Sequence, residues 1–105
     1  MQIYKAPIKD YNFLIKDFLN LTSESSILKN SEIDQEDISA ILEEASKLCE
    51  QTLLPINQSG DTEGCSFDKG KVITPKGFKE AYKIFVENGW QGLTVNKKYG
   101  GQNLP

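Results

Sequence analysis

Few residue types in this chain could do chemistry. All 12 basic residues are lysines, and the 105 residues include no arginine and no histidine. A bidentate arginine clamp for phosphate or carboxylate cannot be built, and there is no imidazole to act as base or metal ligand. What remains is carboxylates, glycine-rich turns, aromatic rings and two cysteines, Cys49 and Cys65. Ser59, Asp61, Glu63 and Gly64 have the spacing of a calcium-binding loop, with glycine at the required sixth position. That pattern fails at both ends, because Ser59 stands at position one and Gly70 stands where a bidentate glutamate is needed. A surface turn is the expectation. The acidic run over residues 32–50 could hold two general-acid carboxylates or a metal. Adjacent Glu43 and Glu44 point about 100° apart on a helix and cannot share a proton, while Glu36 and Glu43 lie about two turns apart on one face. A solvated face is expected there. Gly100-Gly101 could offer backbone N–H groups to an anion, yet the flanks match neither a P-loop nor a dinucleotide fingerprint. Tight backbone packing is expected instead. Tyr82, Phe85 and Trp90 could line an apolar pocket, but their spacing is that of a core-facing helical stripe.

The elements that must position these residues follow from periodicity and punctuation. Residues 1–9 read as an extended arm, and Asp10 as the cap of a helix over 11–21 with the stripe Tyr11, Leu14, Ile15, Phe18, Leu19. A polar connection over 22–33 carries Ile27 and Leu28. Asp34 opens the longest helix, about 35–53, with Ile38, Ile41, Leu42, Ala45, Leu48 and Cys49 on one face. Pro55 removes the bond to the Gln51 carbonyl, so this helix should end near Leu53 or kink there. Ser66-Phe67 and Lys71-Val72-Ile73 can pair as a short hairpin around Asp68-Lys69-Gly70. Thr74 and Pro75 suit the N-cap and first position of a third helix, about 76–88, striped by Phe78, Ala81, Tyr82 and Phe85. Asn88-Gly89 stops it, with Gly89 left-handed and Trp90 folded back onto Phe85. The architecture expected is all-α with one short hairpin, residues 1–105 forming one helical segment that is a domain or part of one.

Composition narrows the partners. A net charge of −3 argues against nucleic acid and anionic membrane. The opening MQIYKAPIKD has no apolar core of a signal peptide, and no run approaches membrane-spanning length. The two cysteines are expected as free thiols in a cytoplasmic protein. A chain of this size should bury roughly two thirds of its unfolded surface.

Four segments together bring a family into view. The run GWQGL followed by KYGGQNLP resembles the GW-x-GL and YGGQGLP signature of acyl-CoA dehydrogenases. Pro55-Ile56-Asn57 with Gly60-Asp61 and Gly64 resembles their P-L-N-x-x-GD-x-x-G segment, and VITPKGFKEAY (residues 72–82) their V-x-TP-x-GFKEAY. Tyr4-Lys5-Ala6-Pro7-Ile8 with Asp10 and Phe13 is similar to the opening of the long bacterial branch, which includes 3-(methylthio)propanoyl-CoA dehydrogenases. Each motif alone is weak, but the four occur in order across nearly the whole chain. The sequence departs in two places. Asn103 replaces a usual glycine, which asparagine tolerates because it visits left-handed geometry, and residues 95–98 lack the usual proline and acidic residue.

The resemblance implies a reaction in which a glutamate removes the α-proton of an acyl-CoA and hydride passes from the β-carbon to flavin N5. It implies FAD, an acyl-CoA substrate, an electron-transfer partner and a homo-oligomer. The family's catalytic and flavin-contacting positions have no counterpart in these residues, so no catalytic, cofactor-binding or metal residue is assigned. The stretch reads as the front end of a longer enzyme, inactive and without FAD by itself. A stand-alone helical interaction module and an inactive truncated product are the alternatives.

Overall fold

A computed structural model describes residues 2–21, 23 and 33–105. Most of the expected polar connection, with Ile27 and Leu28, lies outside the described residues. The described residues are mostly helical, with one two-stranded antiparallel hairpin among them.

The first helix, α1 (Ile8–Asn12), runs directly into a π-helical stretch, Phe13–Phe18. It starts earlier than residue 11, and Asp10 lies in its first turn rather than at its cap. Pro7 explains the shift: its φ of −80° is already close to helical, and its carbonyl accepts from the Tyr11 N–H at 3.1 Å.

The long helix behaves differently from expectation at Pro55. Asp34 caps α2 (Gln35–Lys47) through a reciprocal capping box: its carboxylate accepts from the Asp37 N–H at 2.9 Å, and Asp37 accepts from the Asp34 N–H at 3.1 Å. From α2 the backbone passes through a π-helical stretch, Leu48–Leu53, into α3 (Leu54–Glu63) without leaving helical geometry. Of the two expectations, an end near Leu53 or a kink, the end does not occur: one rod runs from residue 35 to 63, with its irregularity in the π-helical stretch. In a regular α-helix the Pro55 ring would press on the Gln51 carbonyl. The wider turn relieves this: the Leu54 N–H donates to the Cys49 carbonyl, five residues back rather than four. Gly60 and Asp61, expected in a loop, are therefore helical, and the chain turns only at Gly64, where φ is +66°.

The hairpin follows as expected. Strands β1 (Ser66–Asp68) and β2 (Lys71–Ile73) pair with Phe67 opposite Val72. Lys69 and Gly70 both have positive φ, 47° and 78°, the backbone a two-residue hairpin turn demands.

Helix α4 (Phe78–Glu87) begins after Gly77, not after Thr74. Gly77 takes φ +89°, and any side chain there would meet Ile56 Cγ2 at 2.8 Å. The close approach of α3 thus sets the start of α4, and Thr74 is left as a half-buried residue whose hydroxyl has no partner. At the other end Gly89 is left-handed as expected (φ 76°), its N–H donating to the Val86 carbonyl at 3.0 Å.

The assembly is thin and open. It measures 57 × 36 × 17 Å with a radius of gyration of 17.5 Å, where a compact chain of this length has about 13 Å. Accessible surface is 8247 Å², against about 5,900 Å² for a globular protein of this mass. Only about half of the unfolded surface is buried, not two thirds. Among the described residues only Gly60, Pro75 and Ala81 are buried, and of these Ala81 has 5% of its surface exposed.

Candidate functional site

Each residue singled out for chemistry can now be placed. Ser59, Asp61 and Glu63 sit on α3, where a helical rise cannot wrap their oxygens around a cation. No group of three metal-ligating side chains occurs among the described residues. Of the described acids in this run, Glu36 and Glu43 are exposed, as a solvated face requires, and four others are engaged in structure. Asp34 and Asp37 form the capping box. Glu44 pairs with Lys47, whose ammonium is held above its ordinary pKa by that hydrogen bond and charge. Glu50 accepts from the Ala6 N–H at 2.8 Å and from Lys5 Nζ at 3.3 Å. The Ala6 bond, with Lys5 adding to it, holds the Glu50 carboxyl below the usual carboxylate range against a smaller desolvation effect. Glu63 accepts from the Lys76 N–H at 3.1 Å and so ties the end of α3 to the turn before α4.

The glycine loop is closed on itself. Asn96 opens a short turn with its side chain accepting from the Lys98 N–H at 2.8 Å. The Gly100 and Gly101 N–H groups donate to the carbonyls of Lys97 and Asn96. Those of Gln102, Asn103 and Leu104 donate to Gly92, Val95 and Leu93, each at 2.9 Å. Gly101 lies directly against the Val95 carbonyl, so a Cβ has no room there. Asn103 takes φ +56°, the left-handed geometry that lets it stand in a glycine position. The loop is backbone packing, and its amides are not free to cradle an anion.

The aromatics do not form one core. Tyr82 is 70% exposed, while Phe85 and Trp90 are half-buried. Phe85 lines a shallow hollow with Leu53, Ile56 and Phe78. Trp90 instead lines a separate cleft of about 680 Å³, with Ile41, Leu48, Ile84, Leu93 and Leu104. The turn at Gly89 brings Trp90 and Leu93 to the same cleft as Ile41 of α2. The cleft has an apolar floor and a polar rim that includes Glu44, Lys47 and Gln102. It is an open groove between the long helical rod and the glycine loop, and its lining offers no nucleophile paired with a base.

Periodicity alone missed the junction of α3 and α4. Gly60 is buried beneath the Phe78 ring, which occupies the space a Cβ would need. One turn away Ile56 meets Gly77. The PIN…GD segment and the TPKGF segment are thus two halves of one contact. The signal that could have found it is the two glycines themselves, each placed beside an apolar residue of the other segment.

No family model matches the chain. Individual proteins do. The chain is 37% identical over 102 residues to 3-methylmercaptopropionyl-CoA dehydrogenase of Ruegeria pomeroyi, 97% of this chain but 17% of that protein. It is 33% identical over 90 residues to butyryl-CoA dehydrogenase of Syntrophomonas wolfei, 82% of this chain and 15% of the other. A broad-specificity linear acyl-CoA dehydrogenase of Mycobacterium tuberculosis is 24% identical over 107 residues, 100% of this chain and 18% of that protein. The chain is a relative of the acyl-CoA dehydrogenases, as its motifs indicated. It spans less than a fifth of the length of the relatives it matches.

The described residues do not fit a flavin. The backbone amides best placed to meet a pyrophosphate, those of Gly100 and Gly101, are already engaged, and the cleft beside them is an open groove.

Proposed function

We propose that this chain is the N-terminal helical part of an FAD-dependent acyl-CoA dehydrogenase and is not catalytic by itself. In this reading the polypeptide that contains it dehydrogenates an acyl-CoA thioester between its α- and β-carbons. The glutamate base and the flavin-binding residues lie elsewhere in that polypeptide. It works in the cytoplasm as a homo-oligomer that passes electrons to a partner protein. The role of these 105 residues is to present helical faces and the glycine loop to the rest of the fold.

The observation that carries the reading is the uncovered apolar surface. Phe18, Leu19, Phe67, Val72 and Tyr82 are each more than half exposed, and the surface exceeds that of a globule of this mass by about two fifths. Such faces belong against further protein. Flavin titration of the purified chain, followed by an electron-acceptor dye assay with several acyl-CoA thioesters, is the test. The expected outcome is no yellow complex at micromolar FAD and no turnover. Micromolar binding or measurable turnover would overturn the proposal and make this a small flavoprotein in its own right.

A further inference from the structure

The N-terminal arm is held to the long helical rod at two points. At one, Glu50 takes the Ala6 N–H at 2.8 Å and Lys5 Nζ at 3.3 Å. At the other, the Asn57 side-chain amide donates to Gln2 Oε1 at 2.8 Å. Residues 50 and 57 are seven apart on one continuous helical run, and both reach the arm. The arm pairs residue 6 with 50 and residue 2 with 57, so it lies antiparallel along the rod. It spans the π-helical stretch and Pro55, where the rod has left regular α-geometry.

We propose that Glu50 is the latch of an N-terminal strap: its carboxylate fixes residues 2–7 along the rod, and loss of its charge frees the arm while leaving the helices in place. A carboxylate accepting a backbone N–H and facing an ammonium is a stronger acceptor than a neutral acid or amide. Ala6 is half-buried at this point, whereas Ile3 is 91% exposed and adds no apolar anchor. Tyr4 is partly covered at 46% exposed, and the hydrogen bonds to Glu50 and Asn57 fix the strap's register, the first of which a change of charge can undo. Among the described residues, the charged groups around Glu50 are Lys5 on the arm and Lys9 and Asp10 on α1, with Ser46 beside it on the rod.

The direction with pH follows from the lowered pKa of Glu50. A carboxyl held below its free value contributes its full grip above the ordinary glutamate range, about 4.3. That grip is lost as pH falls through the lower value of the latched state. The strap stays shut at neutral pH and opens in acid.

The experiment compares the 105-residue chain with Glu50→Gln, which keeps the shape but removes the charge, and with Asn57→Ala at the other anchor. Trypsin cleaves after Lys5, so the rate of cutting at the Lys5–Ala6 bond reads the latch directly. Cutting several-fold faster in Glu50→Gln, with an unchanged far-UV spectrum, is the expected result. The Ala6 amide resonance should move with pH, with a midpoint below the ordinary glutamate range, and should stop moving in Glu50→Gln. Equal cutting rates in the parent chain and both variants, or an Ala6 resonance that ignores Glu50, would overturn the latch. If Glu50→Gln loses helicity, the Ala6 titration in the parent chain decides alone. These readouts involve neither flavin nor acyl-CoA.

Discussion

A methyl group added at Gly60 would enter the space of the Phe78 ring, on a residue that is buried in a helix. Alanine is the better helix former, by about 1 kcal/mol in an exposed position, so propensity alone predicts stabilisation. The contact predicts the opposite, because forcing atoms into an occupied site typically costs about 1–3 kcal/mol. We expect the steric effect to win and Gly60→Ala to lower the urea midpoint. Shortening the ring in a Gly60→Ala/Phe78→Leu double variant should recover part of the loss. If the two substitutions prove additive in a double-mutant cycle, Gly60 and Phe78 do not touch. At this scale the sequence was read unevenly. Left-handed geometry was legible at Gly89 from the helix stop Asn88-Gly89, and at Asn103 from its place at a usual glycine of the family motif. The burial of Gly60 was not, since it depends on a ring that arrives 18 residues later in the chain.

Helix starts show the same division. The Asp34 cap could be read because a capping box is local, and here both of its hydrogen bonds form. Asp34→Ala should cost about 1 kcal/mol, measured by thermal melting, and should leave the hairpin register untouched. The misplacement of the α4 start at Thr74 and of the rod's end at Leu53 has a common cause. In each case an intrinsic signal from proline, which is real, was answered by a neighbour. Pro55 is absorbed by a π turn, and Pro75 is followed by a left-handed Gly77 packed on Ile56. The α1 boundary moved for a related reason, with Pro7 pre-set for entry. The hairpin was legible because its turn residues and alternation agree.

At the scale of the whole molecule, the stripe of α4 is only partly covered, with Phe78 38% exposed, and the residues expected as the first stripe are more open still, Tyr11 at 49% and Phe18 at 71%. The class of fold could be read from periodicity, whereas the extent of the core could not, because burial depends on what else is present to cover a face. A hydrophobic dye should therefore fluoresce with the native chain at neutral pH, and the signal should fall as the chain associates at higher concentration. The 17 Å thickness also has a calorimetric consequence. Heat-capacity change on unfolding tracks the surface newly exposed to water, about 12–15 cal/mol/K per residue for compact domains. A slab that already exposes so much has less left to uncover, and the increment should be about four fifths of that of a globule of equal length. Its stability curve would then be flatter with temperature, its melting broader, and its resistance to cold greater than its marginal warm stability suggests. Scanning calorimetry on a dilute sample would read this, and an increment at the full globular value would mean that the slab folds into a thicker body in solution.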